Sequence, residues 1–143
     1  MENGVFQVFE TYLLRNESRG DGVGFFLEGG FYPDFILWLV KGNNQKIVFI
    51  DPKGLRNRKP EDPKVQFYKT IRDIEVDLHK QAPKDKNIEL YAFLVSNTLA
   101  SVLESQWSSN GSKITKQDME SWNILFQVDD AHNYISNLVK RIS

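Results

Sequence analysis

Residues 31–54 read FYPDFILWLVKGNNQKIVFIDPKG. Two apolar segments, 32–40 and 46–51, flank the connection Lys41-Gly42-Asn43-Asn44-Gln45. Apolar runs bounded by a Gly/Asn cluster predict a β-hairpin. Over 35–40, and again over 47–50, both alternating faces are apolar, the pattern of strands whose sheet is covered on both sides. Such strands have little use for charge, yet each carries a carboxylate at its outer end. Asp34 opens the first strand, Asp51 closes the second, and Lys53 follows two residues later.

The hairpin constrains these three residues. In an antiparallel pair, facing residues have numbers of constant sum and share a face. A loop of Gly42-Asn43 sets Asp34 opposite Asp51; a loop of 42–45 sets Asp34 opposite Lys53. Asp51 and Lys53 share a face because the strand period is two. Either even-length loop gathers all three, and an odd-length loop would send Asp34 to the far side.

Two carboxylates and a lysine at the rim of a buried sheet suit phosphate chemistry. Paired carboxylates bind a hard cation such as Mg²⁺, with Mn²⁺ as a substitute, and the cation prefers oxygen ligands and keeps several waters. It generates a nucleophile from water and neutralises phosphate charge. A lysine beside it orients the water or stabilises charge developing on the phosphate. The Pro52 backbone carbonyl is a further candidate metal ligand.

Pro33-Asp34 followed by Asp51-Pro52-Lys53 resembles the PD-(D/E)xK nuclease motif, with Asp51 in place of the commoner, one-methylene-longer Glu. The wider string GFYPDFILWL…IVFIDPKG, with Gly54 directly after the lysine, is similar to the C-terminal endonuclease domain of type III restriction enzymes and related DEAD/DEAH helicase-associated nucleases. Residues 12–16, YLLRN, resemble the short strand that precedes this core, and the resemblance runs over about residues 9–97. It implies a restriction-endonuclease-like α/β fold, a mixed central β-sheet flanked by helices, in one nuclease-like domain over 1–143. It also implies Mg²⁺-dependent hydrolysis of DNA, with Asp34 and Asp51 on the metal and Lys53 positioning the attacking water. Such cores place a helix before the first strand, often carrying a glutamate that helps at the metal. Little chain is left for it here, so the chain looks like the C-terminal portion of a longer protein, and Glu10 is the upstream carboxylate to consider as a metal ligand. The resemblance further implies a helicase/ATPase module in the same or a partner chain. The Gly-rich 20–24 lacks the Lys-Ser/Thr ending of a phosphate loop. Double-strand cutting with one site per chain would call for a homodimer or two binding events.

The composition fits these expectations. A length of 143 residues fits one domain with one core. The absence of cysteine excludes disulfides, thiolate zinc sites and Cys nucleophiles, and it fits a cytoplasmic location. No apolar run approaches the roughly 20 residues that span a bilayer, and no secretory signal is visible. The net charge of −1 conceals an uneven distribution, because residues 41–72 hold nine Lys and Arg against three acidic residues. Arg56, Arg58, Lys59, Lys64, Gln66 and Lys69 are the candidate nucleic-acid contacts, since a basic patch beside paired carboxylates suits phosphate binding. The competing readings are a solvated lysine-rich loop, a catalytically inactive nucleic-acid-binding or assembly module of the same fold, and a structural protein whose carboxylates cap turns. His79 and His132 lack metal-ligand spacing.

The remaining chain predicts a strand at about 11–14, a turn-rich 16–24, a strand at 23–27, and a turn at Gly29-Gly30 that leads into the hairpin. Asp62 as N-cap with Pro63 at the first helical position predicts a helix to about Lys80. Its stripe is Val65, Tyr68, Ile71, Ile74 and Leu78, interrupted at Glu75. A strand over 88–96 follows, then a helix from 97–98 to about Trp107 and a soft loop at 108–112. A short helix capped by Thr115, a strand over 124–128 and a helix capped by Asp129 complete the chain, with Ala131, Tyr134, Ile135, Leu138 and Ile142 on the last helix's inner face.

Overall fold

The computed structural model describes residues 10–16, 32–109 and 111–143. One five-stranded sheet runs through it in the order β1 (Glu10–Arg15), β2 (Phe35–Lys41), β3 (Asn44–Lys53), β4 (Ile88–Ser96), β5 (Ile124–Phe126). The first three strands form an antiparallel meander, and β3, β4 and β5 run parallel. Parallel neighbours need crossovers. Helix α1 (Phe67–Gln81) lies in the first, and α2 (Ala100–Trp107) and α3 (Lys116–Ser121) lie in the second; α4 (Tyr134–Ile142) follows β5. The architecture is α/β, a mixed sheet with flanking helices. The expected strand at 23–27 and the turn at Gly29-Gly30 lie outside the described residues.

The hairpin closes on the pair Lys41↔Asn44, so its loop is Gly42-Asn43. Gly42 has φ +59°, the left-handed value that a type II′ turn requires at its first central position. The doubly apolar strands are explained by two buried layers. Ile36, Phe49, Leu90, Ala92 and Leu94 pack on one face against Phe67, Ile71, Leu103 and Met119 of α1–α3. Leu37, Leu39, Val48, Phe93, Val95 and Leu125 pack on the other against Leu138, Val139 and Ile142 of α4.

Strand β5 pairs only with residues 94–96 of β4, which leaves the earlier part of that edge open. Side chains occupy it: Glu75 Oε2 accepts from Leu90 N at 2.6 Å, and Asn123 Nδ2 donates to the Ala92 carbonyl at 3.1 Å. This explains the glutamate that interrupts the apolar stripe of α1, since an open strand edge invites non-native pairing.

Three helix starts deserve correction or confirmation. The first crossover helix begins at Phe67, not at Pro63. Asp62 caps a run of turns instead, accepting from Lys64 N at 2.8 Å through Oδ1 while its backbone carbonyl accepts from Gln66 N at 2.9 Å. Thr115 caps α3 as expected, in a reciprocal capping box with Asp118. Asp129 does not cap α4, which starts five residues later. Its Oδ1 accepts from Ala100 N at 3.1 Å, serving the first turn of α2. Strand β5 ends at Phe126 because the chain turns there, Asp130 N donating to the Phe126 carbonyl at 2.9 Å. Val139 completes the buried face of α4, and Ile135 is 53% exposed.

Replacing Asp129 with Ala should therefore destabilise the fold by about 1 kcal/mol, the usual cost of a lost N-terminal cap. The urea midpoint measures it. An unchanged midpoint would show that this bond contributes nothing.

Candidate active site

The β2–β3 register places Phe35 against Ile50. One step further Asp34 meets Asp51, and the next step sets Pro33 against Pro52. Neither proline has an N–H, so the ladder ends there. The Pro33 carbonyl is taken by Asn16 Nδ2 at 2.9 Å, and Asn16 N donates to the Asp34 carbonyl at 2.8 Å. The Lys53 carbonyl accepts from Asn97 N at 3.1 Å on the β4 side. Successive strand carbonyls point to opposite sides, so that of Pro52 turns toward β2, where Pro33 has no donor to offer.

Asp51 ends a central strand and is only 1% exposed. Its Oδ1 accepts from the Asp34 backbone N–H at 3.0 Å. Its Oδ2 is buried and receives no hydrogen bond. Lys53 Nζ lies 3.2 Å from it as an ion pair, without hydrogen-bond alignment. Burial pushes the Asp51 carboxyl above the ordinary range; the Lys53 ammonium and the Asp34 N–H pull it down, and the Asp34 charge pushes it up again. Asp34 is itself half-exposed.

The chemistry of this donor set suits a hard cation: the buried Oδ2 meets one ammonium and no aligned hydrogen bond, a second carboxylate is adjacent in register, and a backbone carbonyl lacks its ladder partner. It is a two-carboxylate set. Among the described residues no three acidic or imidazole side chains gather. Glu10 stands apart from it. It pairs with Val40, six positions along β2 from Asp34, or roughly 20 Å at strand rise, and its Oε2 accepts from Tyr12 Oη at 2.9 Å.

The basic loop after Lys53 is anchored. Buried Leu55 donates its N–H to Thr98 Oγ1 at 3.1 Å, and Ser96 Oγ is bonded to the backbone of Thr98 on both its N–H and carbonyl. Arg58 N donates to the Leu55 carbonyl at 3.0 Å, and Trp107 Nε1 donates to the Arg58 carbonyl at 2.9 Å. The Arg58 guanidinium pairs with Asp62 at 3.0 Å. Lys64 is half-buried. Burial lowers its pKa, and the neighbouring Lys53 and Arg58 lower it further, against Asp62 and Asp51. The structure thus brings Lys64, Arg58 and Lys53 into one electrostatic neighbourhood with Asp51. Arg56, Lys59 and Lys69 are exposed. Gln66 is committed elsewhere, its Nε2 donating to the Pro60 carbonyl at 2.7 Å.

One contributor escaped the sequence reading. Asn97 follows β4 beside Lys53, and its Oδ1 lies 3.3 Å from where a Gly54 β-carbon would stand. Gly54 therefore lets the amide sit against the backbone next to the candidate lysine. The available signal was the strand 88–96: the carboxyl ends of adjacent parallel strands are where α/β sheets place ligands. No family model, no curated protein and no solved structure matches the chain.

The raised Asp51 pKa has a definite consequence for stability. The folded state holds this proton more tightly than the unfolded state. The group therefore favours folding when protonated, below the ordinary carboxylate range, and this contribution is lost as pH rises through the folded value. In EDTA, Asp51→Asn should be the more stable protein at pH 7, and the gap should close as the pH falls into the ordinary carboxylate range. Urea titrations across this range measure it, and a less stable Asn variant at pH 7 would contradict the assignment.

Proposed function

We propose that this chain is a Mg²⁺-dependent nuclease domain of restriction-endonuclease-like type that hydrolyses phosphodiester bonds in DNA. The observation that carries the reading is the buried Asp51 Oδ2, whose neighbour is the Lys53 ammonium at 3.2 Å, at the end of the hairpin that also holds Asp34. The spacing Pro33-Asp34 and Asp51-Pro52-Lys53-Gly54 supports it, as does the register that sets the two carboxylates opposite each other.

In this reading Asp34, Asp51 and the Pro52 carbonyl hold the cation, and Glu10 takes no part. When bound, the cation supplies an acidified water and neutralises phosphate charge. Lys53 orients the attacking water or donates to a non-bridging oxygen as charge builds there. Lys64 and Arg58 draw in the phosphate backbone, with Arg56, Lys59 and Lys69 extending the attraction outward. Water would add to phosphorus in line and release a proton to solvent as the bond to the 3′ oxygen breaks; that oxygen would take up a proton from solvent, giving a 5′-phosphate and a 3′-hydroxyl. The resemblance to helicase-associated nucleases supports a translocating ATPase in the same or a partner chain, and cutting both strands would take a second copy or a second encounter. Among the described residues no helix is long and apolar enough to cross a membrane, and the cysteine-free composition supports a cytoplasmic setting.

A second reading rests on one observation: the carboxylate set has two members. A non-catalytic nucleic-acid-binding or assembly module would keep the anchored basic loop and need no third ligand.

Incubation with supercoiled plasmid separates the two. The nuclease reading expects nicking with Mg²⁺ or Mn²⁺, none with EDTA, and a loss of about 100-fold or more in Asp51→Ala and Lys53→Ala. DNA binding without nicking under any metal would favour the module.

A further inference from the structure

Lys53 occupies an oxygen that the proposed function reserves for a cation. Its Nζ lies 3.2 Å from Asp51 Oδ2, and among the described residues it is the cation within ion-pair reach of that carboxylate. The two partners differ in freedom. The Asp51 side chain is 1% exposed and held at Oδ1 by the Asp34 N–H, while the Lys53 side chain is 26% exposed. The carboxylate is fixed and the ammonium can leave.

A buried carboxylate without a counter-charge is costly. Lys53 supplies that charge here, yet its approach to Oδ2 lies outside hydrogen-bond geometry. It neutralises the oxygen without closing its coordination. A divalent cation on Oδ2 would repel the ammonium beside it, and the lysine side chain, 26% exposed, has room to move away from the strand end.

We propose that Lys53 is an exchangeable placeholder. In the metal-free protein it neutralises Asp51, and on metal loading it is released from Oδ2 and becomes available to the phosphate. This rests on the metal-site reading above and adds that cation and lysine compete for one oxygen. The lysine then points at substrate only when the site is loaded, which couples the two events without a moving loop.

The test needs no cleavage. Calorimetric titration with Mg²⁺, in the absence of DNA, compares wild type with Lys53→Met, which keeps the unbranched stem out to Cε and removes the charged ammonium. Lys64→Met controls for the removal of a nearby cation that does not sit on Oδ2. Competition predicts about tenfold tighter Mg²⁺ binding in Lys53→Met, within the usual range of coupling between two equilibria, and less than about twofold in Lys64→Met. It also predicts a lower melting temperature for Lys53→Met in EDTA with a larger rise on adding Mg²⁺. In wild type, the Lys53 ε-carbon resonance should shift with the same midpoint as Mg²⁺ binding. Mg²⁺ binding of equal strength in wild type and Lys53→Met would overturn the exchange while leaving the metal site standing, and so would equal gains in the two variants. No binding in any of the three would remove the metal site and the exchange with it.

Discussion

A single hydrogen bond organises the strand ends that carry the candidate site: the backbone N–H of Asp34 donating to Oδ1 of Asp51. It forms where two strands have run out of ladder, because Pro33 and Pro52 face each other and neither can donate. The bond fixes a carboxylate that the fold has buried almost completely. A buried carboxylate needs hydrogen bonds and a counter-charge, and otherwise takes up a proton. Asp51 has one good bond, one loosely placed ammonium, and one oxygen with no donor. A group held so far from its energetic optimum, at a strand end rather than within a satisfied network, is characteristic of a site poised for a ligand.

The rest of the fold holds this end in place. Strands β2, β3 and β4 are covered on both faces, so a one-residue slip of the hairpin would exchange the two apolar sets between layers packed for other side chains and carry Asp51 to the opposite face. The parallel neighbour β4 supplies Asn97, whose N–H takes the Lys53 carbonyl, and Thr98, whose hydroxyl takes the Leu55 N–H. Trp107 ties the basic loop to α2 through the Arg58 carbonyl. The backbone of this loop is therefore held at Leu55 and Arg58, while the Arg56 and Lys59 side chains are exposed, and the phosphate-binding proposal draws its support from that anchoring.

Much of this was legible in the sequence. The apolar runs over 35–40 and 47–50, bounded by a Gly/Asn cluster, identified the strands, and the antiparallel sum rule set Asp34, Asp51 and Lys53 on one face. The choice between loop lengths was not legible, because Gly42-Asn43 and 42–45 both read as turns; the left-handed Gly42 decides it. Glu10 was misplaced as a ligand candidate because proximity in the chain says nothing about which end of β2 it meets. Asp129 looked like a local cap, yet it bonds to Ala100, a contact set by the crossover and invisible to local pattern. Glu75 looked like a flaw in a helix stripe until the short β5 left an edge for it to block. Asn97 was missed because a hairpin reading offers β3 no partner on its other side. The helix start at Asp62-Pro63 failed locally, where turns precede the helix; the other misses each turned on a partner distant in the chain.

The central claim is that Asp34, Asp51 and the Pro52 carbonyl together receive one divalent cation. Crystals soaked in Mn²⁺ test it most directly, through the anomalous signal of the metal. The account predicts one strong peak within about 2.0–2.3 Å of oxygens from all three residues, with waters filling the remaining positions and Lys53 Nζ withdrawn from Asp51 Oδ2. Soaked crystals that show no peak there, with Lys53 still paired to Asp51, would contradict it.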